Sequence, residues 1–221
     1  MKRYVRRNFK VEANGETTPQ VKKPSLLGII TSPVRQFERM RERPAIWLPM
    51  IIVLALSAFS VYLVYRELSQ FNIDPGMAAI SKVFQMLIFF VLSALVLWLI
   101  SKIGNGETSF ICMVSLSVFA TFVTAIRDVI TSLVFYFSNS PVAFTFASLA
   151  GYIPAEEPLL SVLGMFDLFT IWSYALVAIG LQKAAGASKR ASWIGVSVLF
   201  IFMLVLSYLS GLYQVFIENI Q

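Results

Sequence analysis

Apolar residues run along this chain in long blocks, cut by short polar stretches. The blocks are Ala45 to Tyr65, Val83 to Ser101, Phe110 to Phe137, Leu159 to Leu181 and Ser192 to Phe216. Each is near or above the ~20 residues that a helix needs to cross a ~30 Å hydrocarbon core. The pattern predicts an all-α fold: a polytopic membrane helical bundle of five transmembrane helices, filling residues 45–217. Aromatic residues mark several edges, as in an interfacial belt: Trp47, Tyr62 and Tyr65 on the first block, Trp98 on the second, Trp193 and Tyr213 on the last. The second block has Met77 as its earliest entry.

The links between blocks are short. Asn72, Asp74, Pro75 and Gly76 form a turn cluster after the first block, and Lys102–Glu107 (KIGNGE) is a tight turn that makes the second and third blocks antiparallel neighbours. The third block is too long. As one helix it spans ~42 Å at 1.5 Å per residue, so it must tilt, kink or protrude. After it come SNSP (138–141) and a short apolar piece, 142–150, read as interfacial or re-entrant, then a loop with Glu156 and Glu157.

Ahead of the first block the periodicity changes. Ser32 and Pro33 give a helix-start signal, and Val34, Phe37 and Met40 recur at threes, with Arg35, Glu38, Arg39 and Glu42 on the other faces. This predicts a short amphipathic helix within residues 25–44, lying in the cytoplasmic interface. Residues 1–24 read as a disordered basic cytoplasmic tail that touches anionic lipid.

Composition sharpens this picture. Of 221 residues 57% are hydrophobic, and the mean hydropathy is +0.75, too apolar for a soluble domain. The single cysteine, Cys112, allows no disulfide within one chain, and histidine is absent, which removes the commonest metal ligand and general base together. Residues 1–44 hold eleven of the 18 Lys and Arg and four of the 12 acids, leaving seven basic and eight acidic residues beyond. The basicity therefore speaks to membrane orientation before nucleic acid. With the N-terminus cytoplasmic and the C-terminus outside, the inner segments also hold Lys102, Lys183, Lys189 and Arg190, and the outer ones only Arg66 and Lys82. A six-span alternative would bury SNSP and put Lys189 and Arg190 outside.

Three ionisable residues fall inside the blocks. Asp128 shares a helical stripe with Thr124, Thr121 and Ser117, a pattern that permits close helix approach, and Asp167 shares one with Gly164, Thr170 and Tyr174. Counting from the outer ends, Arg127 lies ten residues (~15 Å) deep and Asp167 eight (~12 Å). The matched depths predict an Arg127–Asp167 pair, with Asp128 turned to its small-residue stripe, because adjacent helical residues do not face each other. Such a pair can be structural, can line an ion or solute path, or can meet a partner subunit. There is no phosphate-binding glycine loop, and without histidine neither a serine triad nor a metal-dependent intramembrane protease is available, so no enzyme activity and no cofactor are expected.

The stretch GMFDLFTIWSYALVAIGL, with Asp167, Phe169, Trp172, Ile179 and Gly180, is followed by a small loop carrying Ser188, Lys189 and Ala191. Together with SPVRQFERMRERP upstream, it resembles the YIP-domain (Ypt/Rab-interacting-protein-like) membrane family over residues 25–216. A departure is Arg127–Asp128, where many relatives would carry a proline. The resemblance implies five spans, a cytoplasmic N-terminus and no catalysis. Eukaryotic members work with small GTPases in trafficking. The short loops here look like the bacterial branch, and resemblance to one subgroup of it implies a non-catalytic accessory subunit in the cell membrane, partnered with the permease and membrane-fusion components of an ABC-type exporter in toxin resistance. The other function class is a small transporter or channel using Arg127, Asp128 and Asp167.

Overall fold

The computed structural model describes residues 22–67, 74–138 and 147–220. The basic tail, except for its last three residues, lies outside the described residues, as do most of the first loop and the start of the 142–150 piece.

Eight α-helices follow in order among the described residues: α1 (Leu26–Thr31), α2 (Pro33–Glu42), α3 (Trp47–Glu67), α4 (Pro75–Ile103), α5 (Phe110–Ser138), α6 (Leu159–Met165), α7 (Leu168–Lys183) and α8 (Lys189–Glu218). A 3-10 turn at Leu149–Gly151 precedes α6. Four of them, α3, α4, α5 and α8, are long and apolar enough to cross a membrane, while α7 is a shorter apolar helix of 16 residues. The chain is thus a multi-pass helical membrane protein with four candidate spans. Side-chain caps set several starts. Asp74 Oδ1 accepts from the Met77 amide at 2.8 Å, with Pro75 in the first turn, and Ser188 Oγ accepts from the Ala191 amide. Because Asp74 caps it, α4 begins eight residues before Val83. Its first two turns carry Ser81 and Lys82, whose polarity hides them from a search for apolar runs.

At the centre lies α5. Of its most apolar window 61% is buried, against 28% for α3, 22% for α4 and 11% for α8. Its neighbours are α3, α4, α7 and, at one end, α1 and α2. Two side-chain bonds tie it across the bundle: Ser115 Oγ donates to the Ala45 carbonyl (2.8 Å), and Ser173 Oγ of α7 donates to the Ala120 carbonyl (3.0 Å).

The end of the bundle with the α4–α5 turn is knitted tightly. Asn105 adopts a left-handed backbone (φ 58°), and the Gly106 amide returns to the Ser101 carbonyl. The Ser188 amide then donates to the Gly104 carbonyl, joining the α7–α8 turn to the α4–α5 turn. A side chain on Gly106 would meet backbone atoms, with the Ala185 carbonyl oxygen only 2.8 Å from its Cβ.

The pre-span region differs from its expected place on lipid. Its apolar patch at Leu26–Ile30 is a helix of its own, α1, capped by Ser25. Phe37 and Met40 of α2 are fully buried and face α5 and α7, joined by Gln36, whose Oε1 accepts from the Ser25 amide. Val34 remains 41% exposed, and Arg35 and Arg39 stay on the outer faces. A groove in the protein removes a helix's apolar face from water as a bilayer would, and here the core takes the face assigned to the bilayer. The outer Glu38–Lys183 pair (3.4 Å) adds little, being solvent-screened.

Phe37→Ala should therefore cost about 3–5 kcal/mol and Val34→Ala within about 0.5 kcal/mol, read as unfolding in mild detergent. Gly106→Ala should lower the melting temperature clearly. Gly164→Ala, with nothing within 4 Å of the new methyl, should leave it unchanged or raised.

Candidate functional site

The fourth apolar block is not one helix. It breaks at Phe166 and Asp167, the second of which is extended (φ −111°, ψ 143°), and α7 restarts at Leu168. The expected continuous helix over 159–181 is corrected accordingly. Asp167 is the N-cap of α7: its Oδ1 accepts from the Phe169 amide (2.9 Å) and its Oδ2 from the Thr170 amide (3.2 Å). An aspartate is among the best residues for this position, and the positive end of the helix dipole favours its charge.

A break in an apolar helix exposes backbone groups that hydrocarbon cannot satisfy. Here a second segment satisfies them. The Leu168 amide donates to the Ala147 carbonyl (3.3 Å), and the Leu149 amide donates to the Phe166 carbonyl (3.1 Å), forming an antiparallel bridge between Ser148 and Asp167. The end of the 142–150 piece thus sits against the break. Below it α6 packs on α8, where Ser207 Oγ donates to the Ser161 carbonyl (2.8 Å), and Phe200 stacks edge-on with Phe166 and Tyr174.

Onto this cap comes Arg127 of α5. Its Nη1 donates to Asp167 Oδ2 and to Thr170 Oγ1, and Thr170 Oγ1 also bonds Asp167 Oδ2. Its Nε and Nη2 donate to Asp128 Oδ1 at 3.0 and 2.8 Å. The rule that adjacent residues diverge holds for the Cα–Cβ directions. It does not bind a guanidinium on a long stem, which curls back over its own helix. Asp128 is therefore Arg127's partner as well as a member of the Ser117–Thr121–Thr124 stripe. Asp167 is 2% exposed, and each charge in the cluster has an opposite charge in contact.

Thr121 and Thr124 turn their hydroxyls back to the Ser117 and Thr121 carbonyls, and the stripe lines two cavities. One, of about 450 Å³, is mainly apolar and lies among α4, α5, α7 and α8. The other, of about 280 Å³, lies among α3, α4 and α5 and holds Lys82, Gln85 and Asp128. Ser81, Lys82, Gln85 and Tyr65 also border a third cavity, of about 650 Å³, between α3 and α4. In the sequence Lys82 stands out only as an outer basic residue, and Gln85 and Ser57 do not stand out. The capped start of α4, signalled by Asp74–Pro75, is the clue that places Lys82 on a helix.

The remaining marked positions serve packing. Phe169 and Ile179 pack on the core, while Trp172 is 42% exposed. Gly180 is buried against the Leu116 side chain, and Ser188 caps α8 just ahead of Lys189 and Ala191.

The Yip1 domain matches residues 27–209. This chain belongs to the Yip1 domain family. It is 37% identical over 222 residues to membrane protein YknW of Bacillus subtilis (strain 168), covering 91% of this chain and 95% of that protein. No solved structure matches at a significant level. The Yip1 match spans everything from α1 to the greater part of α8, so the docked helices α1 and α2 belong to the domain and are no appendage.

Removing one partner of a buried pair costs about 3–5 kcal/mol, because the other charge stays behind. Arg127→Gln, which strips the cation from both Asp128 and Asp167, should destabilise the protein more than Asp167→Asn, after which Arg127 keeps Asp128, and the double variant should recover part of the loss in a double-mutant cycle. Asp167→Ala, which also removes the cap, should be worse than Asp167→Asn by about 1 kcal/mol. A double variant no better than its singles would show that the two residues do not act together.

Proposed function

We propose that this protein is a non-catalytic accessory protein of the cell membrane, which binds a membrane complex and helps to assemble or regulate it. The complex in this reading is an ABC-type exporter involved in toxin resistance. In this reading α6 and α7 together make a fifth crossing, the N-terminus is cytoplasmic, the C-terminus is outside, and the basic N-terminal region lies on anionic lipid.

The observation that carries it is the closed charge cluster beside open helix faces. All three guanidinium nitrogens of Arg127 are engaged by Asp128, Asp167 and Thr170, which supports a clasp more than a relay. Meanwhile α8 leaves most of its 30 residues uncovered, including Ile201, Phe202, Val205 and Leu209. Such a face suits permease or membrane-fusion subunits as well as lipid. The second reading, a small transporter or channel using Arg127, Asp128 and Asp167, has in its favour the row of adjoining cavities along α5.

Tagged protein isolated in mild detergent should carry ABC-transporter subunits in fixed stoichiometry and should conduct or exchange nothing alone in liposomes. Solute flux from the isolated protein, with no co-purifying subunit, would reverse the choice. Reporter fusions at the two termini should report opposite sides of the membrane.

A further inference from the structure

The polar cavity among α3, α4 and α5 is lined by residues of this one chain. Lys82 and Gln85 line it from α4, Thr121, Thr124 and Asp128 from α5, and Ser57 from α3. Ser57 is 1% exposed, and its hydroxyl has no hydrogen-bond partner among the described residues. A buried hydroxyl of this kind normally finds a partner, and its absence points to a group that enters the cavity. Lys82 likewise has no ion pair among the described residues, although it shares the cavity with a carboxylate.

Charge counting limits the ligand. Arg127 is bonded to two carboxylates, Asp128 and Asp167, so that cluster is one charge negative. Lys82 restores neutrality. A simple anion or a simple cation would bring an uncompensated charge into a low-dielectric site, whereas a zwitterion brings none. Its anionic group would meet Lys82, and its ammonium would donate to the free face of Asp128 and to the hydroxyls of Ser57, Thr121 or Thr124.

The neighbouring cavity identifies the source. It shares Phe89, Thr121 and Thr124 with the polar one, holds about 450 Å³, and is walled by Val96, Val177, Leu199, Phe202 and Met203. An apolar trough adjoining a polar pocket suits acyl chain beside headgroup. Depth agrees as well: α4 and α5 have 29 residues each, or ~43 Å, so about 6 Å of each protrudes at either side of a ~30 Å core. Lys82 lies seven residues in from Pro75, about 10 Å, which places it ~4 Å below the headgroup boundary.

We infer that α3, α4 and α5 form a binding site for a phospholipid whose headgroup pairs a phosphate with a primary ammonium, the phosphate on Lys82 and the ammonium on Asp128. The test uses the purified full chain in mild detergent. Phosphatidylethanolamine, phosphatidylglycerol or phosphatidylcholine with identical acyl chains is added, and bound lipid is counted by native mass spectrometry. Phosphatidylethanolamine should be retained about tenfold better than the other two, since only its headgroup is neutral and can donate from an ammonium. Lys82→Gln should lower that retention about tenfold, and Gln85→Leu should lower it in the same direction; neither residue belongs to the Arg127–Asp167 cluster. Equal retention of the three lipids, preference for phosphatidylglycerol, or a preference untouched by both variants would each overturn the site. Displacement by excess glycine would overturn the lipid and assign the pocket to a free zwitterion.

Discussion

The bundle depends on the way Asp167 is satisfied. A helix interrupted in an apolar layer leaves amides and carbonyls that nothing in the layer can bond. One carboxylate answers much of the amide side of this here. It caps two amides of α7, takes the guanidinium of Arg127, and sits where a second extended segment returns through Ala147 and Leu149. The same residue therefore fixes where α7 begins, how α5 is turned about its axis, and where the 147–151 segment ends. Each of these would be costly alone, and each is stable because the others are present.

The two ends of the bundle are built differently. Where the α4–α5 and α7–α8 turns meet, backbone bonds between turns, a glycine with no room for a methyl and the docked α1–α2 pair make a closed surface. Towards the other end, α3, α4 and α5 part to leave cavities that Lys82, Gln85 and Asp128 line. Close packing and polar openness are thus separated along the helix axes. The core end holds Phe37, Met40, Cys112 and Leu181, and the charged cluster marks the change.

Much of this is legible in the sequence. Long apolar blocks gave the helices, because length and hydropathy are one-dimensional properties. The bonded residues Arg127 and Asp167 could be matched by counting turns, since depth along a straight helix is linear in residue number. What sequence reasoning lost was local competition. Asp167 reads equally as a costly residue inside a helix or as the cap of a new one, and only the bridge from Ala147 and Leu149 decides between them. The α1–α2 pair shows the same limit: an amphipathic stripe says that a face must be buried and does not say whether lipid or protein buries it. The side-by-side pairing of Arg127 with Asp128 was excluded by a rule that holds for short side chains and fails for a guanidinium.

The pairing of Arg127 with its own neighbour bears on how the chain is made. Arg127 leaves the ribosome 40 residues before Asp167 does. Through that interval α5 has no carboxylate from α7 to meet it, and a lone guanidinium is a poor passenger into a bilayer. Asp128 arrives one residue later, within reach of the same nitrogens, so the nascent hairpin of α4 and α5 already carries its own counterion. The final clasp can then form by addition of Asp167 to a helix that was never left with a naked charge.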